Sequence, residues 1–168
     1  MRILILDDNP KYIGGLWVPV LKAKQYEVEV HVDMAQTYRS IQSASRRPAY
    51  DIVLMDVVFD EPAPPELRDY ADVVLKSQIS KNHREFTSQA LGLWLWHERK
   101  TLRQRYAYFS SRTMEHLPDL QVGSDAPEFS GADAGERRQL VCRRGDEGEV
   151  SSHVDRLIQI WVQKGWAA

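Results

Sequence analysis

The stretch that most constrains the fold is Tyr50–Phe59, YDIVLMDVVF. It is an almost continuous apolar run of Val, Ile, Leu and Met, with one acid, Asp56, near its end. A strand with one wet face alternates apolar and polar residues. A run like this is buried on both faces, as in parallel sheets covered by helices. Asp56 stands where such a strand reaches its C-terminal edge, the edge at which open α/β sheets place their chemistry.

The chain before it supplies the rest of that pattern. Arg2–Leu6 is an Ile/Leu run that stops at Asp7, Asp8, Asn9 and Pro10. Asp8 or Asn9 is a candidate N-cap, and Pro10 suits a first helical turn. The helix predicted over Pro10–Lys24 has Ile13, Leu16, Trp17, Val20 and Leu21 on one face. Gly14, Gly15 and Pro19 make it a poor helix by itself, so packing must hold it. Tyr26–Val32 alternates strictly and reads as a strand near a sheet edge. Asp33–Arg46 reads as a helix with Tyr38 and Ile41 turned inward, ended by Arg47-Pro48. The order β, α, β, α, β with short connections implies a parallel sheet.

After Phe59 the rhythm breaks. Asp60–Pro65 is a polar, proline-rich turn, Glu66–Ile79 has a loose helical face, and Ser80–Phe86 is polar and basic. Thr87–Arg99 is a strong helix with Ser88 a candidate cap. Leu91, Trp94 and Leu95 form one stripe, and Leu93 and Trp96 lie away from it. Such a helix is deeply buried or covered by something else, such as the preceding segment or a partner. Tyr106–Phe109 is a short strand followed by Ser110. Thr113–Glu136 carries Pro118, Pro127 and three glycines and reads as irregular, with at most a weak helix near Met114–Leu120. Gln139–Cys142 is the last predicted strand, followed by Arg143 and Arg144. Ser151–Val162 is a helix with Val154, Leu157, Ile158, Trp161 and Val162 on one face.

Composition narrows the function classes. With 168 residues, 43% hydrophobic and 27% charged, the chain suits one folded domain and not a disordered segment. A net charge of -2 gives no electrostatic footprint for nucleic acid. No apolar run approaches a membrane span. The start, MRILILDD, is unlike a signal peptide. The single cysteine, Cys142, excludes an internal disulfide and reads as a buried strand residue, so a cytoplasmic location is expected. The five histidines, at 31, 83, 97, 116 and 153, show no metal-ligand spacing and are expected at or near the surface. Gly-rich phosphate loops and the GxSxG elbow are missing.

The expected architecture is a flavodoxin-like α/β sandwich with a five-stranded parallel sheet in the order 2-1-3-4-5, whose switch point lies between the first and third strands. That topology brings Asp7 and Asp8 together with Asp56. Like charges so close repel unless a cation neutralises them. Hard oxygen ligands in an open site suit Mg²⁺, which retains waters and takes one or two carboxylates plus a phosphate. A cation there can assist phosphoryl transfer onto Asp56.

ILILDDNP, YEVEVHVD and YDIVLMDVVF together resemble the receiver domain of two-component response regulators. The resemblance is close over residues 2–59, fair over 87–111 and 139–162, and absent over about 60–86 and 113–136. It implies that Asp56 is the phosphoacceptor. Asp8 is then a direct Mg²⁺ ligand, Asp7 its water-mediated neighbour, and the backbone carbonyl of Val58 a further ligand. Ser110 matches the hydroxyl that hydrogen-bonds the phosphoryl group. Where the family has Lys-Pro after its fifth strand, this chain reads CRRGD, so Arg143 is the nearest match and Arg144 a rival. The Met-Pro-Gly turn after the phosphoacceptor is missing, and an insertion of roughly 25 residues takes its place, long for a connection in such a fold. Aspartate-based phosphatases need a second acid at position 58, which is Val.

Two functions follow from the resemblance. One is a stand-alone receiver phosphorylated on Asp56 by a histidine kinase, or through a phosphotransfer protein, and signalling by contact with a downstream protein. Its only enzymatic activity would be Mg²⁺-dependent self-phosphorylation and autodephosphorylation. The other is a pseudo-receiver that binds partners without phosphorylation. Neither implies nucleic acid or membrane as a partner, and the Leu157–Trp166 helix is a candidate homodimer surface.

Overall fold

A computed structural model describes residues 1–59, 62–77, 88–110, 120–143 and 150–168, without the side chains of Tyr12, Leu16, Ser110, Cys142, Arg143 and Ser151. Four strands form the body of a parallel sheet: β1 (Arg2–Leu6), β2 (Glu27–His31), β3 (Ile52–Asp56) and β4 (Tyr106–Ser110), in the order β2-β1-β3-β4. This is the order of a flavodoxin-like sheet. The three-residue β5 (Val141–Arg143) pairs in parallel with the outer side of β4, beginning at Tyr108 opposite Val141. It lies two residues later than the predicted Gln139–Cys142 strand starts.

Seven α-helices occur among the described residues: α1 (Pro10–Ala23), α2 (Met34–Ser43), α3 (Arg68–Ser77), α4 (Ser88–His97), α5 (Arg99–Leu102), α6 (Ala134–Leu140) and α7 (Val150–Lys164). α1 packs with α7, and α2 packs with α4. Helices on both sides explain why every residue of β3 is buried. β2 is the edge strand, and its Val28 and Val30 are only half-buried, as its alternating sequence predicts. Ile13, Trp17 and Leu21 carry α1 into the core, with Pro19 inside the helix as expected.

The apolar α4 is explained by what covers it. All residues from Ser88 to Trp96 are buried. Leu93 packs with Val74 of α3 and Leu120, and Trp94 packs at a tilt against Tyr38 of α2 with centroids 4.6 Å apart. The helix between β3 and α4 is thus a cover for α4's outer side, one of the two explanations its sequence left open. Gly92 is required here, because a Cβ would stand 1.7 Å from the Tyr108 hydroxyl.

Several expectations need correction. Asn9 is the N-cap of α1 by position but its side chain makes no capping bond; the acid that turns the chain is Asp7, whose Oδ1 accepts from the Asn9 amide at 2.7 Å. The irregular reading of Thr113–Glu136 misses the start of α6, which Asp133 and Glu136 begin with a reciprocal capping box. On α7, Val162 is exposed, whereas Leu157 and Trp161 lie in the chain's own core with Trp166. The predicted turn at 60–61, the basic stretch 80–86 and the Met114–Pro118 region lie outside the described residues.

Candidate functional site

The parallel register lines up the strand ends. Leu6 is level with His31 on β2 and Met55 on β3, Asp56 is level with Phe109 on β4, and Ser110 with Arg143 on β5. Asp7, one residue beyond β1, and Asp56, the last residue of β3, therefore share one edge of adjacent strands. Asp7, Asp8 and Asp56 each offer a carboxylate oxygen, and these lie within 4.8 Å of one another. Asp7 and Asp56 are buried and Asp8 is exposed.

Local interactions hold this corner. The Asp7 amide donates to the His31 carbonyl at 3.0 Å, which ties the end of β1 to β2. Its Oδ1 is aimed back at the Asn9 amide. Beyond Asp56, the Val57 amide donates to the Phe109 carbonyl at 3.3 Å. The Val57 carbonyl accepts from Ser88 Oγ at 3.1 Å. Val58 is half-buried between the buried Val57 and Phe59.

The donor set fits a hard divalent cation. It consists of carboxylate oxygens without sulfur or imidazole, the pattern that suits Mg²⁺, Ca²⁺ or Mn²⁺. Two of the three acids are shielded from water, so their mutual repulsion is weakly screened. The exposed Asp8 leaves a side open to water, and Mg²⁺ keeps several of its waters. Residues Asp7, Asp8 and Asp56 are thus brought together as their sequence positions predict. The strand ends at Ser110 and Arg143 stand on the same edge, their side chains being outside the description. Arg144 lies outside the described residues.

Sequence reading missed two groups at this edge. His31 is buried, contrary to the expectation for the histidines. Its Nδ1 lies 3.0 Å from Thr37 Oγ1, and its Nε2 lies 2.7 Å from Glu29 Oε1. Burial pushes the Glu29 carboxyl up, but the hydrogen bonds from His31 and Tyr50 outweigh it and hold Glu29 below the usual value. The same pairing, after burial, pushes the Tyr50 phenol up to about 12. The alternation Glu27-Val28-Glu29-Val30-His31 places Glu29 and His31 on one face and was the available signal. Ser88 is the second, a residue legible only as a helix cap.

A separate cleft of about 550 Å³ is lined by His97, Arg99, Lys100 and Val122–Asp125. α4 returns antiparallel to the strands, so its C-terminal end with His97 lies at the sheet edge opposite the acids. Arg99 binds Asp125 there through both guanidinium nitrogens, at 2.6 and 2.9 Å. No helix among the described residues is long and apolar enough to cross a membrane.

No protein-family model and no curated protein matches the chain. Among solved structures, it is similar to a chain described as the yeast Spc42 trimeric coiled coil fused to another structure. The TM-score is 0.50 at 14% identity, over 99% of this chain and 85% of that one. A second similarity is to the N-terminal domain of a response regulator/sensory box/GGDEF three-domain protein from Carboxydothermus hydrogenoformans. Its TM-score is 0.49 at 13% identity, over 98% and 99% of the two chains. At such identities the first similarity concerns the fold alone, and neither assigns an activity.

Proposed function

We propose that this chain is a single receiver-like domain in phosphorelay signalling, a phosphoprotein that accepts a phosphoryl group on Asp56 from a histidine kinase or phosphotransfer protein. The observation that carries this reading is the convergence of Asp7, Asp8 and Asp56 oxygens within 4.8 Å. Asp7, Asp8 and Asp56, with the carbonyl of Val58, would hold Mg²⁺. The cation, when bound, neutralises charge on the transferring phosphoryl oxygens. An Asp56 oxygen attacks phosphorus, the P–N bond to the donor imidazole breaks, and the imidazole nitrogen leaves with the electron pair. Ser110 then hydrogen-bonds the phosphoryl group and Arg143 pairs with it. An Arg there is a planar fork and not a point charge, so its contact differs in kind from that of the Lys the resemblance leads one to expect. The change at Ser110 passes along β4 to a downstream protein bound by contact. The segment at about 60–86 is the insertion in this domain, and it carries α3, which packs on α4.

Intact mass measured after incubation with MgCl₂ and a small acyl phosphate tests this. The expected result is a gain of one phosphoryl group, absent in Asp56→Asn and absent with a chelator. No gain in the wild-type protein overturns the switch and leaves the second reading, a pseudo-receiver that works by binding alone.

A further inference from the structure

The residue after Asp56 is held by both of its backbone polar groups. The Val57 amide donates to Phe109 on β4. The Val57 carbonyl accepts from Ser88 Oγ at 3.1 Å, in a buried bond that spans 31 residues. Ser88 itself is fully buried. The strand ends at Asp56 and the chain bends at Val57, with Val57 and Phe59 buried and Val58 half-buried. The Val58 carbonyl, a cation ligand under the proposed function, is therefore the next carbonyl along a backbone that is anchored at Val57 to β4 and to α4.

We infer that Ser88 is a positioning residue for cation binding: by fixing the Val57 peptide it aims the Val58 carbonyl at the Asp7–Asp8–Asp56 cluster. This inference rests on the reading of that cluster as a cation site. Nothing in the local sequence after Asp56 supplies the restraint, since Val57-Val58-Phe59 contains neither the proline nor the glycine of a rigid turn. The restraint comes from the first turn of α4, beyond the inserted segment. A serine that only satisfied a buried carbonyl would stabilise the fold without touching metal affinity.

The test titrates the full chain with MgCl₂ by calorimetry, beside protein labelled with ¹³C at its valine carbonyls. The wild type binds Mg²⁺ and its Val58 carbonyl signal moves on binding. Ser88→Ala is expected to weaken binding about tenfold, the usual scale for losing a group that orients a ligand, and to shrink the Val58 shift. Ser88→Thr, which keeps the hydroxyl, restores most of both. Should Ser88→Ala fail to fold, Ser88→Cys replaces it, with a weaker donor and the same expected ordering. Unchanged affinity and an unchanged Val58 shift in a folded Ala or Cys variant overturn this inference and leave the cation site intact. A wild type that binds no Mg²⁺ overturns both.

Discussion

The two sides of the sheet are finished by different means. On one side, β2, β1 and β3 pair along their length, Arg2 to Leu6 against Glu27 to His31 and Ile3 to Leu6 against Ile52 to Met55. Their cores are aliphatic. On the other side, β5 is short and, among the described residues, leaves Tyr106 without a strand neighbour on its outer side. The carbonyls of Arg105 and Phe109 face β3, where they accept from Val53 and Val57, so that of Tyr106 faces outward. A side chain takes the missing strand's place: Trp161 Nε1 donates to the Tyr106 carbonyl at 2.9 Å. Phe129, Trp96 and Trp166 pack around that indole. The Tyr106 and Tyr108 hydroxyls both donate to the buried Glu128 Oε1, at 2.5 and 2.7 Å. Burial first, and Glu128 second, push both phenols well above their ordinary range. Backbone pairing repeats and is locally encoded, whereas this aromatic substitute depends on residues far apart in sequence.

The largest expected effect breaks that substitute. Trp161→Ala should cost about 3–5 kcal/mol of stability, as large aromatic truncations do. Trp161→Phe keeps most of the packing and removes the donor, so it should cost about 1–3 kcal/mol for a buried carbonyl left unpaired. Ile5→Val, on the fully paired side, should cost only about 0.5–1.5 kcal/mol. Urea unfolding of the three variants ranks them. A Trp161→Phe variant as stable as wild type would show that the indole serves by packing alone.

The same contrast explains what could be read from the amino-acid sequence. Asp7, Asp8 and Asp56 were legible because each follows an apolar strand-length run, and parallel order does the rest. Trp94 and Trp96 were legible as core because α4 is apolar all round, and the choice of cover was left between the preceding segment and a partner. α6 was missed because Gly131 and Gly135 suggested a loop, although Asp133 and Glu136 carry the capping-box spacing. The bonds of Ser88 to Val57 and of Trp161 to Tyr106 span 31 and 55 residues, and no local pattern encodes either. The burial of His31 likewise depends on Thr37 and α2 closing over it.

A medium effect sharpens the comparison from the polar side. Gln104 is buried and its amide is fully used, accepting from the Tyr50 amide and donating to the Tyr50 and Arg105 carbonyls. Gln89, on α4, is equally buried, yet both its amide atoms lack a hydrogen-bond partner among the described residues. An unsatisfied buried amide costs about 1–3 kcal/mol relative to an apolar group of the same shape. Gln89→Leu should therefore raise stability by about 1 kcal/mol, seen as a higher urea midpoint at unchanged slope. A lowered midpoint would mean that the amide has a partner in solution, such as an ordered water.

The smallest effect lies at the edge opposite the acids, where Asp125 meets Arg99. The Arg99 hydrogen bonds, partly opposed by burial and helped by the Ala126 amide, hold the Asp125 carboxyl below its ordinary value. A carboxyl depressed in the folded state contributes stability that is complete above its unfolded pKa, near 4, and lost as pH falls through the lower folded value. For a pair this near the surface the contribution is under about 1 kcal/mol and is screened by salt. Arg99→Met keeps an apolar stem over Trp96, on whose ring the guanidinium now lies at 4.3 Å, and removes the charge. Its stability should fall below that of wild type at neutral pH, and the gap should narrow as the pH falls below the ordinary carboxylate range. Parallel curves across that range would place the whole effect in the contact with Trp96 and none in the ion pair.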